Sequence, residues 1–176
     1  MLSKIQVYIL DTIKSLTQFL GSTNFTKSVL TVIAVVTPLA IGISTGYAEI
    51  GVAICFGAFW CNPSDVHGSL KHKVYGILFS AALVMVVSFI GGYLHFSPWL
   101  SLVILGVVSF AISMISSYGF RASLISFSGL LALVISFAHT PDQLKIYEYS
   151  LLVGLGGMWY LALSLLWFKI NPKRQT

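Results

Sequence analysis

Long apolar runs, uncharged but for Glu49, dominate this chain and leave it little choice of solvent. Six of them stand at 28–46, 48–61, 74–94, 98–117, 122–138 and 149–168, separated by Gly, Pro, Asn, Asp, His and Lys. Crossing about 30 Å of hydrocarbon at about 1.5 Å per residue takes about 20 apolar residues. In lipid every backbone polar group must be satisfied within the segment, so such a run is a helix. Apolar types make up 57 % of the 176 residues and charged types 9 %, against about 25 % charged in an average soluble domain. A soluble chain this small has too little interior to hide that surface. Disordered chains, basic nucleic-acid-binding domains and ordinary cytosolic enzymes are excluded. The expected fold is an all-α polytopic membrane protein with six transmembrane helices.

The ten Lys and Arg residues predict how the helices are threaded. Positive residues near helix ends are biased to the cytoplasmic side. With six crossings and an inner N-terminus, Lys4, Lys14, Lys27, Lys71, Lys73, Arg121, Lys169, Lys173 and Arg174 lie inside, and Lys145 alone lies outside. The run 48–61 is the shortest and could be re-entrant. In that case four of these residues would lie inside and six outside, so the bias favours six crossings with both termini cytoplasmic. Aromatic residues fit the same boundaries: Trp60 and Trp167 at inner ends, and Tyr47, Tyr93, Trp99, Tyr147 and Tyr149 at outer ends.

Residues 1–24 read differently. Ile5, Ile9, Ile13, Leu16 and Leu20 recur at helical spacing, with Lys4, Gln6, Asp11, Lys14 and Gln18 between them. This predicts an amphipathic helix on the membrane surface or against a partner. The expected organisation is an interfacial helix over 1–24, a six-helix transmembrane domain over 25–170 and a cytoplasmic tail over 171–176, after which a cytoplasmic domain could follow in a longer parent. The +5 net charge is distributed along this frame and signals a lipid surface, with no nucleic acid as partner.

Few residues suggest chemistry. There is no G-x-S-x-G, phosphate-cradling glycine loop or H-E-x-x-H, and no run carries a central ionisable residue, so no catalytic set, cofactor or enzyme activity is expected. The stretch 61–73 holds Cys61, Asp65, His67 and His72, whose spacing matches no zinc pattern, and no metal is expected. Lys71, Lys73 and Arg121 could form a vestibule that concentrates organic anions, or could simply anchor headgroups. Glu49 and Asp65 are candidate coupling groups. Ser113 and Ser116 in the fourth run and Ser126 in the fifth either pack helices together or line a polar path. Trp159 and Tyr160, in mid-run, pack between helices or line a cavity. Pro38 and Pro63 are candidate hinges, and Gly76 and Gly129 candidate packing positions. Gly42 and Gly46, and Gly154, Gly156 and Gly157, are expected at close helix contacts. Cys55 and Cys61 would point to different faces of one helix, which disfavours a disulfide.

The stretches Tyr47-Ala48-Glu49-Ile50-Gly51-Val52-Ala53, Gly57-Ala58-Phe59-Trp60 and Asn62-Pro63-Ser64-Asp65, followed by Lys73-Val74-Tyr75-Gly76-Ile77-Leu78-Phe79-Ser80, resemble the N-terminal membrane region of the fusaric-acid-resistance (FUSC-like) proteins. That family takes in the aromatic acid exporters and the YccS/YhfK-type inner-membrane proteins. Ser80 stands where a second glycine is common, and Lys73 where arginine is common. The resemblance implies efflux of aromatic carboxylic acids or related small organic anions across the bacterial inner membrane. It also implies a homo-oligomer or a second membrane block as partner. The alternative is a non-transporting anchor and oligomerisation scaffold for a cytoplasmic domain.

Overall fold

The computed structural model describes residues 23–65, 70–94, 98–138 and 144–170. The expected interfacial helix over 1–24, the tail over 171–176 and His67 lie essentially outside them. The described residues form six α-helices and no strand. In chain order these are α1 (Thr23–Ser44), α2 (Ala48–Cys61), α3 (Leu70–Tyr93), α4 (Pro98–Ile115), α5 (Phe120–Ala138) and α6 (Ile146–Ile170). Short 3-10 turns follow α2 (Asn62–Ser64) and α4 (Ser116–Tyr118).

Five helices, all but α2, carry windows long and apolar enough to cross a membrane. The expected second span is a helix, but it has 14 residues, about 21 Å at 1.5 Å per residue, which falls short of about 30 Å of hydrocarbon. Its apolar length is cut by the Thr45–Tyr47 turn at one end and by Asn62-Pro63 at the other.

Small residues decide how α2 is held. Gly42 of α1 and Gly51 of α2 abut, such that a methyl group on Gly42 would lie 2.7 Å from the Gly51 Cα. Gly57 of α2 faces the Val153 carbonyl of α6, and Gly156 of α6 faces the Ile54 carbonyl of α2, so a methyl at either position would strike backbone. Gly157 meets Ala81 and Cys61, and Gly154 meets Met85. These contacts let backbones approach closely, as small residues do in membrane helices. Gly46 departs from the expectation. It has open space around it and φ +79°, and it closes the α1–α2 turn in the left-handed region that favours glycine. Its N–H donates to the Ile43 carbonyl at 3.3 Å.

Two apolar clusters fill the interior. One joins Trp60, Val84, Val87, Leu133, Tyr149 and Val153. The other joins Leu30, Ala34, Ala58, Ile77, Ala81 and Tyr160. Helices α2 and α3 are well enclosed, whereas α4 packs chiefly on α5 and shows Trp99, Leu102 and Phe110 outward. A rim of exposed large apolar side chains around a packed interior suits a bundle whose solvent is lipid. Pro38, inside α1, has no N–H to give the Ala34 carbonyl, and the preceding Thr37 hydroxyl donates back to the Ile33 carbonyl at 2.7 Å.

Candidate functional site: a buried ion pair at one end of the bundle

The chain leaves α2 through Asn62-Pro63-Ser64-Asp65. Pro63, early in the 3-10 turn, fixes φ where the turn needs it and has no N–H to leave unpaired. The Asp65 N–H donates to the Asn62 carbonyl at 3.0 Å, and the Ser64 hydroxyl donates to the Cys61 carbonyl at 2.6 Å. This tight turn directs the Asp65 side chain into the bundle instead of into water.

Lys73 meets it there. Its Nζ lies 3.1 Å from Asp65 Oδ1, with 6 % and 2 % of the two side chains exposed. Among the described residues Oδ1 has no other donor. Oδ2 accepts from the Ser164 hydroxyl at 3.0 Å and from the Tyr160 phenol at 3.2 Å. Tyr160, Ser164 and Phe168 are spaced four apart on α6 and so share one face. The Phe168 ring centroid lies 5.9 Å from the Lys73 ammonium, within cation–π range.

A second layer comes from α1. Lys27 Nζ donates to the Asp65 backbone carbonyl at 2.6 Å. Asn62 Oδ1 lies 2.9 Å from the Tyr160 hydroxyl and 3.1 Å from that of Thr31. The Tyr160 phenol has one hydrogen for two acceptors, Asn62 and Asp65, so only one of these bonds is made at a time. Lys27, Ser28, Thr31, Asn62 and Pro63 line a polar cleft of about 520 Å³ at this corner. Helices α3 and α6 thus converge on the Asp65 carboxylate, and α1 holds the turn that carries it. Ionisable side chains buried in membrane proteins are costly and mark functional paths.

The residues singled out from sequence fall into different settings. Lys73 and Asp65 are brought together in the interior, whereas Lys71 on the next helical position but one is exposed. Arg121, half-buried, lies across Gly76 of α3 and donates from Nη1 to the His72 carbonyl at 2.6 Å, which places it at the same end. Ser126 is buried and donates to the Ile112 carbonyl at 2.7 Å, tying α5 to α4. Ser113 is exposed, and Ser116 is half-buried in the second 3-10 turn. Gly129 packs against Leu83 and Ile112. Glu49, in the first turn of α2, is at the far end of that helix from Asp65. Trp159 and Pro38 line an apolar groove of about 360 Å³ with Thr37, Ile41 and Leu155, away from the ion pair. Among the described residues no group of three His, Cys, Asp or Glu side chains is placed to hold a metal.

Sequence reasoning passed over Lys27, Thr31, Asn62, Tyr160 and Ser164 as members of this site. The signal was there in part: polar or aromatic residues at 27 and 31, and at 160, 164 and 168, repeat at intervals of four and mark one helix face each.

The fold and this site define a multi-pass helical membrane protein with a charged centre buried at one end. Residues 76–176, more than half of the chain, match the family described as FUSC-like: FUSC-like inner membrane protein yccS. The chain belongs to the FUSC-like family, a membrane transport family of the inner membrane. The match begins at Gly76 and so takes in Tyr160 and Ser164, while Asp65 and Lys73 precede it. No curated protein and no solved structure matches the chain significantly.

Proposed function

We propose that this chain is a transport domain that carries small organic anions, aromatic carboxylates foremost, out across the bacterial inner membrane. The observation that carries the reading is the buried Lys73–Asp65 pair, whose carboxylate also accepts from the Tyr160 and Ser164 hydroxyls, beside a polar cleft. Paired cationic and hydroxyl donors at the mouth of an apolar bundle are a recognition set for a carboxylate. Lys71 and Arg121, at the same end of α3, supply further positive charge that gathers anions. The apolar groove at Trp159 and Pro38 offers space of a size and character suited to an aromatic ring.

The chain crosses six times in this reading. Helix α2 with its 3-10 turn spans about 21 Å plus about 6 Å, close to the hydrocarbon thickness once local thinning is allowed. Both termini and the Asp65–Lys73 corner then face the cytoplasm, in keeping with the distribution of Lys and Arg. An inside-negative potential drives an anion outward with about 2.3 kcal/mol per charge per 100 mV, so the electrical part of the proton-motive force supplies the drive. Asp65 and Glu49 remain the groups available for proton coupling.

Inverted membrane vesicles containing the protein are expected to accumulate labelled hydroxybenzoate when energised. Replacing Lys71, Lys73 and Arg121 together with Gln is expected to abolish that uptake. Equal uptake with and without the protein refutes the reading and leaves the anchor role. Glycine contacts such as Gly57 against Val153 would serve an anchor equally well.

A further inference from the structure

The Asp65 carboxylate occupies a set of donors that any carboxylate could occupy. Lys73 approaches one oxygen, and Tyr160 and Ser164 approach the other. The three donors stand on long helices, α3 and α6, which fix their positions. Asp65 does not. It closes a three-residue 3-10 turn, so its side chain can swing away without breaking a helical turn. The donors are the rigid part of the arrangement, and the acceptor is the movable part.

A route to the donors lies next to them. Asn62 lines the polar cleft and also accepts from Tyr160, and Lys27 lines the same cleft and donates to the Asp65 backbone carbonyl. An anion in the cleft is therefore one side chain away from the ion pair. Its entry leaves the Lys73 charge neutralised, because one carboxylate takes the place of another. No bond is made or broken in the exchange.

We propose that Asp65 is an internal occupant of a carboxylate site, and that the carboxylate of an incoming organic anion displaces it from Lys73, Tyr160 and Ser164. The inference rests on the anion-transport reading and adds the way its site is closed when empty. Asp65 acts as a tethered competitor, which sets a threshold concentration for the anion and keeps an uncompensated ammonium out of the apolar interior. The charged and titratable groups facing it are Lys27 from α1, Lys73 from α3 and Tyr160 from α6.

The test uses the full chain in detergent, with hydroxybenzoate as the probe and equilibrium binding as the readout. Asp65→Asn keeps the shape and removes the competitor, so it is expected to bind hydroxybenzoate about tenfold more tightly than the unaltered protein. Lys73→Met is expected to lose binding. Equal affinity in Asp65→Asn and the unaltered protein overturns the proposal, as does full binding by Lys73→Met. A second measurement needs no variant: the carboxylate is coupled to glycine ethyl ester with a water-soluble carbodiimide, and the modified residue is found by mass spectrometry. Hydroxybenzoate is expected to speed modification of Asp65 several-fold in the unaltered protein, and an unchanged rate overturns the displacement. Vesicle uptake with neither effect removes the tethered competitor alone. Absence of both uptake and binding in every variant removes the transport reading with it.

Discussion

Removing one member of the buried pair is the most informative single perturbation of this molecule. At a separation of 3.1 Å and an effective permittivity of about 20, the attraction between Lys73 and Asp65 is about 5 kcal/mol. Much of it is offset by taking both charges from water, so the intact pair adds little net stability. The asymmetry appears when one partner goes. Lys73→Met leaves the Asp65 carboxylate, with 2 % of its side chain exposed, without its ion-pair partner, among apolar groups and two hydroxyls, with the Lys27 ammonium engaged by the Asp65 backbone carbonyl. Such an orphaned buried charge costs about 3–5 kcal/mol, which lowers the melting temperature by about 6–20 °C for a chain of this size. Asp65→Asn/Lys73→Met replaces both charges by neutral groups and is expected to melt above Lys73→Met alone. The assay is intrinsic-fluorescence melting of the purified protein in one detergent, with size exclusion to confirm a single species. Melting of Lys73→Met within 2 °C of the unaltered protein, or a double variant that loses the sum of the two single losses, would refute the assignment of Lys73 and Asp65 as a buried, mutually dependent pair.

Other substitutions probe the packing and the threading. Gly57→Ala or Gly156→Ala forces a methyl into the facing backbone between α2 and α6 and is expected to cost about 1–3 kcal/mol or more; Gly106→Ala on α4, with open space around it, is expected to be neutral or to stabilise by about 1 kcal/mol, and the same melts compare them. Ser126→Ala removes the hydrogen bond to the Ile112 carbonyl and is expected to lower stability by about 1 kcal/mol with hydroxybenzoate uptake unchanged; loss of uptake at unchanged stability would instead give Ser126 a place on the path. Lys71→Cys is exposed and is expected to react with a membrane-impermeant maleimide in inverted vesicles and not in right-side-out ones, while the buried Cys61 stays unlabelled. Labelling from the other side would move the Asp65 corner to the periplasm.

Hydropathy was sufficient to predict the helices, because lipid leaves a backbone no other way to satisfy its polar groups. Apolar runs at 74–94, 98–117 and 122–138 stand within a few residues of α3, α4 and α5, and glycines at 154, 156 and 157 were legible as contacts. The run at 48–61 was legible as a helix, but its 14 residues make its crossing a matter of how bilayer and bundle adjust to each other, which no local pattern encodes. The ion pair was less legible still. Asp65 and Lys73 lie between apolar runs, where charged residues are ordinarily solvated, so the sequence alone showed two loop charges of opposite sign.

What the order of residues determined by itself was the solvent of this protein, its helical form and the end of the bundle where its charges gather, since each depends on local composition. Only tertiary structure decided that the turn after α2 points inward, that α6 brings Tyr160 and Ser164 to the Asp65 carboxylate, and that α1 brings Lys27 to the Asp65 backbone carbonyl and Thr31 to Asn62. Those partners lie up to 99 positions from Asp65 along the chain. Their convergence follows from close backbone contacts at Gly42, Gly57 and Gly156, where the absence of a side chain sets how near the helices come.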